Sequence, residues 1–197
     1  MVRIVAGRLR GRSLMGPPEG VRPTSDRVRE ALFARLGDLA GTRVLDLFAG
    51  TGALGIEALS RGADHVVCVD RSRRSVEVIE KNLERLELGS QAQTLCIPAR
   101  GAIRRLGEQG DGFDLVFLDP PYDDIGVATE ILPLLLESDL LNQEATVVVE
   151  GPKQDPLVLP IPGFEVEETR RYGDTIITWF YADKQPRAGG REPKHEQ

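Results

Sequence analysis

Residues 44–59 read VLDLFAGTGALGIEAL and decide the fold. An apolar run leads into Gly50, Gly52 and Gly55, which are spaced as G-x-G-x-x-G, and a helix-forming stretch follows. A strand, a glycine turn and a helix in this order are typical of α/β folds that bind a nucleotide cofactor. Asp70 ends the next apolar run, about twenty residues after Gly50, and is suited to accept hydrogen bonds from ribose hydroxyls.

Short β-rich runs alternate with amphipathic stretches along the rest of the chain. This alternation is the signature of a parallel sheet flanked by helices. Several of the runs are almost continuously apolar, as strands covered on both faces require. We predict five strands, at 43–49, 65–71, 92–98, 113–119 and 145–150.

Two helices follow from apolar spacing and from capping residues. Residues 72–88 have apolar side chains near helical spacing, with Ser72 as the N-cap and Gly89 as the stop. A second helix covers 125–137, and Pro133 kinks it or marks a break.

The C-terminal part adds a hairpin and a tail. The β-rich runs 164–170 and 175–181 are joined by YGD, which predicts an antiparallel hairpin added to the sheet. Residues 183–197 are polar and contain Pro and Gly, so we expect a disordered tail. The predicted fold class is therefore α/β, with five parallel strands and a C-terminal antiparallel hairpin.

The N-terminal segment is basic, whereas the rest of the chain is acidic. The formal net charge is -6. Residues 1–29 contain seven arginines against two acidic residues, which gives +5 there and −11 elsewhere. Because phosphate contacts need Lys or Arg, a nucleic-acid partner would bind this segment.

Cysteine, histidine and hydropathy patterns argue against several other classes. Cys68 and Cys96 lie inside strand-like runs without Cys-x-x-Cys spacing, which predicts buried free thiols. His65 and His195 are the only histidines, so zinc sites and Ser-His triads are poorly supplied and we expect no metal. No stretch resembles a signal peptide or a membrane span, and we expect a cytoplasmic protein.

Asp46, four residues before Gly50, helps to decide between two possible cofactors. NAD would bring a pyrophosphate to the helix N-terminus, where this carboxylate repels it. S-adenosylmethionine has no phosphate and brings an ammonium and a sulfonium, which an acidic strand end favours. The D-x-F-x-G-x-G pattern resembles the first motif of class I S-adenosylmethionine-dependent methyltransferases, and the predicted sheet is similar to their Rossmann-like sheet. With this resemblance, the candidate cofactor-binding residues are Asp46, Phe48, Ala49, Gly50, Thr51, Gly52, Asp70, Arg71, Ala99, Arg100 and Asp119.

The residues after the fourth predicted strand, Asp119-Pro120-Pro121-Tyr122, are the candidate catalytic residues. Strands one and four should be neighbours, so this segment should face the same crevice as the glycine turn. The Asp119 carboxylate and the Pro120 carbonyl could each accept an N–H bond from an exocyclic amine and direct its lone pair at the methyl group. The prolines fix φ and hold that carbonyl in place. Tyr122 would stack on the base.

The chain resembles the RsmD family, bacterial 16S ribosomal RNA guanine-N2 methyltransferases. The resemblance rests on RIVAGRLRGR at 3–12, RPTSDRVREALF at 22–33, the Asp46 motif, DPPY, and the late RYGDT at 171–175. It implies a monomer that uses S-adenosylmethionine to modify a guanine of 16S rRNA or of a small-subunit particle. Under this resemblance the chain divides into a basic N-terminal arm or hairpin (1–24), a methyltransferase domain (25–182) and the tail.

The resemblance also assigns the basic residues a role in RNA binding. Arg22 and Thr24 should lie over the cofactor and the incoming nucleotide, and Arg8, Arg10 and Arg12 should hold RNA phosphates. The basic region is then expected beside the catalytic crevice, where it positions RNA without reading its sequence. One departure concerns IPAR at 97–100: many class I methyltransferases have an acidic residue there, so backbone atoms near Ala99 and Arg100 would have to contact the adenine.

Two other functions remain open at this point. A DNA adenine-N6 methyltransferase would share the pocket chemistry, but the chain has no obvious target-recognition domain. A non-enzymatic RNA-binding assembly factor could retain the fold, but the intact set of Asp46, the glycine turn, Asp70 and Asp119 argues against loss of activity.

Overall fold

One mixed sheet of seven strands organises the chain, and a separate pair of short strands lies before it. The computed structural model describes residues 2–16, 25–121 and 125–182. The strands in chain order are β1 Val2–Arg3, β2 Ser13–Leu14, β3 Arg43–Asp46, β4 His65–Val69, β5 Ala92–Leu95, β6 Phe113–Leu118, β7 Leu141–Pro152, β8 Phe164–Tyr172 and β9 Thr175–Ala182. The helices are α1 Asp26–Leu36, α2 Ala53–Ser60, α3 Arg73–Arg85, α4 Ala99–Gln109 and α5 Gly126–Glu137.

The large sheet has the order β5-β4-β3-β6-β7-β9-β8. Strands β3 to β7 are parallel, while β9 pairs antiparallel with both β7 and β8. This confirms the predicted five parallel strands and the antiparallel hairpin. Strand β3 pairs with β4 on one side and β6 on the other, so the strand order reverses there. In open α/β sheets, ligands bind outside the carboxyl ends of the strands at such a point.

Helices cover both faces of the sheet. On one face, the core joins α1, α2 and α3 to the sheet, and Phe33 of α1 meets Phe117 of β6 edge to face. On the other face, buried side chains of α4 and α5, such as Leu106 and Ile131, pack against the strands. Burial on both faces explains why the strand segments are almost continuously apolar in the sequence.

Helix α3 has the predicted N-cap but a different end. The Ser72 hydroxyl accepts a hydrogen bond from the Ser75 N–H. The helix ends at Arg85, and the predicted stop at Gly89 is wrong. Glu87 takes a positive φ of 58°, and the Leu88 N–H bonds back to the Leu83 carbonyl, so the chain has already turned before Gly89.

The structure differs from the sequence predictions in three further places. Helix α5 is continuous through Pro133, so the proposed break is absent. Helix α4 was not among the predicted helices, because Gly101 and Gly107 within it and the lack of a side-chain cap on Pro98 weaken its signal. Cys68 is buried as predicted, but Cys96 is exposed because β5 has ended at Leu95.

The N-terminal hairpin is separate from the large sheet, as predicted. Within the described residues, β1 and β2 pair with each other alone, and the apolar residues Val2, Ile4 and Leu14 of the hairpin are buried in the same core as α2 and α3. The proposed domain boundaries and the tail at 183–197 stay predictions, and the tail lies outside the described residues. No helix in the described part of the chain is long and apolar enough to cross a membrane.

Candidate active site at the carboxyl edge of the sheet

The glycine turn is held between the ends of β4 and β6. The Ala49 N–H donates to the Val69 carbonyl at 2.9 Å, and the Leu47 N–H donates to the Phe117 carbonyl at 3.1 Å. One Asp70 carboxylate oxygen accepts the Gly50 N–H at 3.0 Å. These bonds fix the turn to its neighbouring strands on both sides.

The three glycines of the turn have different tasks. Gly50 and Gly52 take positive φ values of 55° and 78°, which residues with a Cβ rarely adopt. A Cβ on Gly55 would lie 2.8 Å from a methyl group of Val66 and 2.9 Å from the sulfur of Cys68, so glycine lets α2 approach β4 closely. A Cβ on Gly50 would meet no atom of residues 2–16, 25–121 or 125–182 within 4 Å, so these residues leave space open at the turn.

Asp46 lies buried beneath this turn, with 1% of its surface exposed. One carboxylate oxygen accepts the Gly55 N–H at 3.3 Å, and the other has no hydrogen-bond partner among the residues that the structure describes. Burial, followed by the negative charges of Asp119 and Asp70, raises the pKa of Asp46 to about 7, although the backbone N–H groups of Gly55 and Phe48 oppose the shift; of these two, only the Gly55 N–H is within hydrogen-bonding geometry. A buried carboxylate with a raised pKa and an unused acceptor is typical of a functional site.

The structure brings the three predicted acidic residues together. Asp119 follows β6 and is partly exposed, and its charge acts on Asp46, which ends β3. Asp70 follows β4, and its second oxygen accepts the Ser72 N–H at 2.7 Å. Pro120 is buried and Pro121 is exposed. Tyr122, the last predicted catalytic residue, lies outside the described residues.

The other predicted cofactor residues surround this edge with different exposure. Phe48 is partly buried, and Thr51 and Ala99 are buried. Arg71 and Arg100 are exposed, and the Arg100 side chain pairs with Glu130 of α5. Because this pairing directs the Arg100 side chain to α5, a contact with adenine would use the backbone of α4, as the sequence suggests.

The predicted RNA-binding arginines lie at the hairpin turn, away from the strand ends just described. Arg8, Arg10 and Arg12 are exposed. Arg8 bonds through its side chain to Gln91, which precedes β5, and through its N–H to the carbonyl of Ser60. Arg8 therefore lies toward the edge of the sheet where the parallel strands begin, which we call the amino edge, and not beside the crevice as expected. Arg22 and Thr24 lie outside the described residues.

One arginine of the basic segment is not a surface residue. Arg29 is completely buried in α1, and its guanidinium donates to the Arg3 carbonyl at 2.6 Å and to Asp26 at 2.5 Å. It joins α1 to the hairpin, so its charge is not available to a partner in this conformation.

Sequence reasoning missed the buried polar residues that fasten the hairpin to the helices. The Glu57 carboxylate of α2 accepts the N–H groups of Val5 and Ala6 at 2.7 and 2.9 Å, and it also accepts from Arg61 at 2.8 Å. The sequence did contain one sign of this contact, a glutamate inside the apolar helix segment ALGIEALS. Because a fully buried carboxylate is almost always paired, a glutamate in such a segment indicates a buried polar partner.

Ser60 at the end of α2 holds the next part of the hairpin. Its hydroxyl accepts the Leu9 N–H at 3.0 Å and donates to the Ala6 carbonyl at 2.6 Å. Gly7 must be glycine here, because a Cβ would lie 1.9 Å from the Ser60 carbonyl oxygen and φ is +80°.

The residues at the strand ends fit S-adenosylmethionine better than a dinucleotide. The unpartnered oxygen of Asp46 and the neighbouring carboxylates of Asp70 and Asp119 favour a cationic ligand. A pyrophosphate would face three carboxylates at the helix N-terminus where it normally binds. The open space at Gly50 provides room at the turn. Within the described residues, no cluster of His, Cys, Asp and Glu could hold a metal ion.

The strand order, the glycine turn and the carboxylates at the strand ends define a class I methyltransferase. The family model described as "Conserved hypothetical protein 95" matches residues 2–181. Ribosomal RNA small subunit methyltransferase D of Haemophilus influenzae is 38% identical over 161 residues, covering 81% of this chain and 83% of the relative. The protein of the same name from Escherichia coli K12 is 37% identical over 158 residues, covering 79% and 77%. The chain belongs to this family, and the resemblance to the RsmD family is confirmed.

A solved structure agrees with this assignment. The Escherichia coli protein yhhF superposes with a TM-score of 0.80 at 31% sequence identity, and the match covers 93% of this chain and 99% of that one. The family model, which matches residues 2–181, spans both hairpins as well as the sheet.

Proposed function

We propose that the protein transfers a methyl group from S-adenosylmethionine to the exocyclic N2 amine of a guanine in 16S rRNA of the small ribosomal subunit. The observation that carries the proposal is the position of Asp119 and Pro120. They leave β6 directly beside the glycine turn of β3, where the charge of Asp119 acts on buried Asp46. The names of the relatives support rRNA as the substrate.

Asp119 and Pro120 would act on the amine by positioning it. The nitrogen is a poor nucleophile because its lone pair is delocalised into the base. Hydrogen bonds from its two N–H groups to the Asp119 carboxylate and the Pro120 carbonyl favour a tetrahedral nitrogen whose lone pair is free to attack. The lone pair then forms the new N–C bond, and the extra proton leaves the nitrogen afterwards. Catalysis of this kind depends on orientation and electrostatics.

The cofactor would be held by the residues of the turn and its neighbours. When bound, S-adenosylmethionine supplies a methyl group on a cationic sulfur, which leaves as a neutral thioether. Asp70 would accept the ribose hydroxyls, and Asp46 would lie beneath the turn as a negative charge for the cationic ligand. The backbone near Ala99 would contact the adenine.

RNA would extend from the crevice to the hairpin turn. Arg8 lies at the far end of α2, and a helix of this length spans about 12 Å. That is roughly the distance of two nucleotides along a single strand, so one RNA loop could contact both the crevice and the arginines. A loop guanine is the favourable target, because extruding a stacked base costs a few kcal/mol. We infer that the enzyme acts in the cytoplasm as a monomer.

The Asp119→Asn variant tests the catalytic role. We expect calorimetry to show S-adenosylmethionine binding within about 3-fold of wild type, while methyl transfer to a 16S rRNA fragment falls by about 100-fold or more. Asp114→Asn is the control: Asp114 lies at the other end of β6, where it bonds Arg43 and Asn142. Near-normal turnover in Asp119→Asn would contradict the proposed chemistry.

The modified base identifies the target amine. Nucleosides released from rRNA that has been treated with the enzyme should contain N2-methylguanosine by mass spectrometry. N6-methyladenosine, or a product formed only on DNA, would contradict the guanine assignment and would favour the adenine enzyme.

A further inference from the structure

Asn82 joins two distant parts of the chain inside the protein. It lies on α3 with 1% of its surface exposed. Its side-chain oxygen accepts the Met15 N–H at 2.7 Å, and its side-chain nitrogen donates to the Thr51 carbonyl at 3.1 Å and to the Met15 carbonyl at 3.5 Å. One buried amide therefore satisfies backbone groups on both segments.

The two segments that Asn82 joins have different predicted functions: one binds the cofactor and the other binds RNA. Thr51 lies in the glycine turn between Gly50 and Gly52, where the cofactor is expected. Met15 follows β2, at the point where the N-terminal hairpin runs on toward residues 17–24, which contain Arg22 and Thr24. The hairpin turn lies toward the amino edge of the sheet, so Met15 is where the arm returns to the cofactor edge.

We propose that Asn82 is a positioning residue that couples the N-terminal arm to the cofactor turn, so that S-adenosylmethionine and RNA each strengthen the binding of the other. The inference rests on the proposed function. Ordering the Thr51 carbonyl around a bound cofactor fixes the Asn82 amide, and the fixed amide then holds Met15 and the arm. Because binding free energies are linked, RNA that binds the arm must strengthen cofactor binding by the same factor.

The contacts of Glu57 and Ser60 attach the arm at a different place from Asn82. Glu57 and Ser60 attach the hairpin to the second half of α2, away from its N-terminus at Ala53. The Asn82 side chain, in contrast, hydrogen-bonds both the arm at Met15 and the turn at Thr51. Removing it should therefore uncouple the two ligands while the hairpin stays attached through α2.

The experiment compares the full-length wild type with Asn82→Ala and Asn82→Asp. Asn82→Asp, when ionised, keeps an acceptor for the Met15 N–H but loses the donor to the carbonyls of Thr51 and Met15, so it cuts the link to the turn while one contact with the arm remains. Asn142→Ala is the matched control, because its amide donates to Asp114 at the opposite edge of the sheet.

Calorimetry measures the dissociation constant of S-adenosylhomocysteine with and without a saturating 16S rRNA fragment. We expect RNA to strengthen binding about 5-fold or more in wild type and Asn142→Ala, and less than 2-fold in both Asn82 variants. Equal coupling in wild type and Asn82→Asp would overturn the inference even if Asn82→Ala fails to fold.

Hydrogen exchange at Met15 gives a readout that needs no RNA. Cofactor binding should slow exchange of the Met15 amide about 5-fold or more in wild type and leave it unchanged in Asn82→Asp. If wild type binds the cofactor and methylates RNA but shows neither effect, the coupling is refuted and the proposed function stands. If wild type binds no cofactor, the proposed function fails first, and the inference fails with it.

Discussion

Asp46 carries a cost in stability that the proposed cationic cofactor would relieve. Its carboxylate is shielded from water, lies near two other acidic residues and has one oxygen without a hydrogen bond. A free-energy penalty of this kind persists in a fold when a ligand removes it, because binding of a cation relieves the repulsion that burial creates. The same residue gives the strongest electrostatic argument for a cationic cofactor over a pyrophosphate.

The raised pKa of Asp46, about 7 against an ordinary 3.8, predicts a pH dependence of stability. Between these values the folded protein holds a proton that the unfolded chain has lost. The contribution to stability is therefore fully present below about pH 4 and is lost as the pH rises through about 7. In this window the free energy of unfolding should fall by up to about 1.4 kcal/mol per pH unit.

Asp46→Asn isolates this effect, because an amide does not ionise in the window. Urea unfolding of the ligand-free protein at pH 5, 6, 7 and 8 should show a downward trend with pH in wild type that is reduced in the variant. Parallel curves for the two proteins would show that Asp46 titrates at its ordinary pKa and would remove the electrostatic account of the site.

Helix α2 both follows the glycine turn and anchors the N-terminal hairpin, and only the first of these features could be predicted from the sequence. The glycine turn at its N-terminus could be predicted from spacing alone. Glu57 on the same helix, with none of its surface exposed, could not be matched to partners, because Val5 and Ala6 are more than fifty residues away and offer backbone N–H groups that no side-chain pattern marks. Local patterns predict elements, whereas long-range polar contacts depend on the packed fold.

Glu57→Ala should therefore weaken the attachment of the hairpin to α2. The substitution leaves two backbone N–H groups and the Arg61 guanidinium without their acceptor, and we expect a loss of about 2–4 kcal/mol in the free energy of unfolding. Urea unfolding measures this loss, and limited proteolysis after Arg8 or Arg10 reports release of the hairpin.

Glu77→Ala is the matched control for that loss. Glu77 pairs with Arg73 on α3 at the same i,i+4 spacing as Glu57 and Arg61, but both side chains are exposed. Its removal should change stability by less than about 0.5 kcal/mol. Equal effects of the two substitutions would show that the buried contacts of Glu57 do not hold the hairpin.

The sheet as a whole was more predictable than the placement of the arm. Alternating apolar runs and the glycine turn predict that β3 to β7 are parallel, and the short YGD connection predicts the hairpin of β8 and β9. The basic charge of the first 29 residues was visible in the sequence, but its position was not. The buried Glu57 carboxylate and Ser60 hydroxyl of α2 hold the hairpin turn toward the amino edge of the sheet, and Arg29 is buried in the core.

At the scale of the whole molecule, the exposed arginines of the arm are expected to bind RNA phosphates on an otherwise acidic protein. Replacing Arg8, Arg10 and Arg12 together with Gln should weaken binding of a 16S rRNA fragment and reduce the slope of log affinity against log salt by about 2, since each lost phosphate contact to a single strand removes about 0.7. Filter binding between 50 and 300 mM salt measures the slope. The affinity for S-adenosylmethionine without RNA should not change, because none of the three side chains contacts the turn.

The control replaces Arg104 and Arg105, which are exposed on α4 and therefore on the opposite face of the sheet from the hairpin. Removing these charges makes the protein more acidic without touching the arm, so a slope that stays within about 0.5 of wild type is expected. If both sets of substitutions lower RNA affinity and slope by the same amount per charge, net charge alone steers the RNA and the hairpin is not its binding surface. If the triple variant alone loses affinity, the RNA contacts the hairpin turn as well as the crevice at Asp119, and the separation of these two places sets the minimum size of the loop that the enzyme can modify.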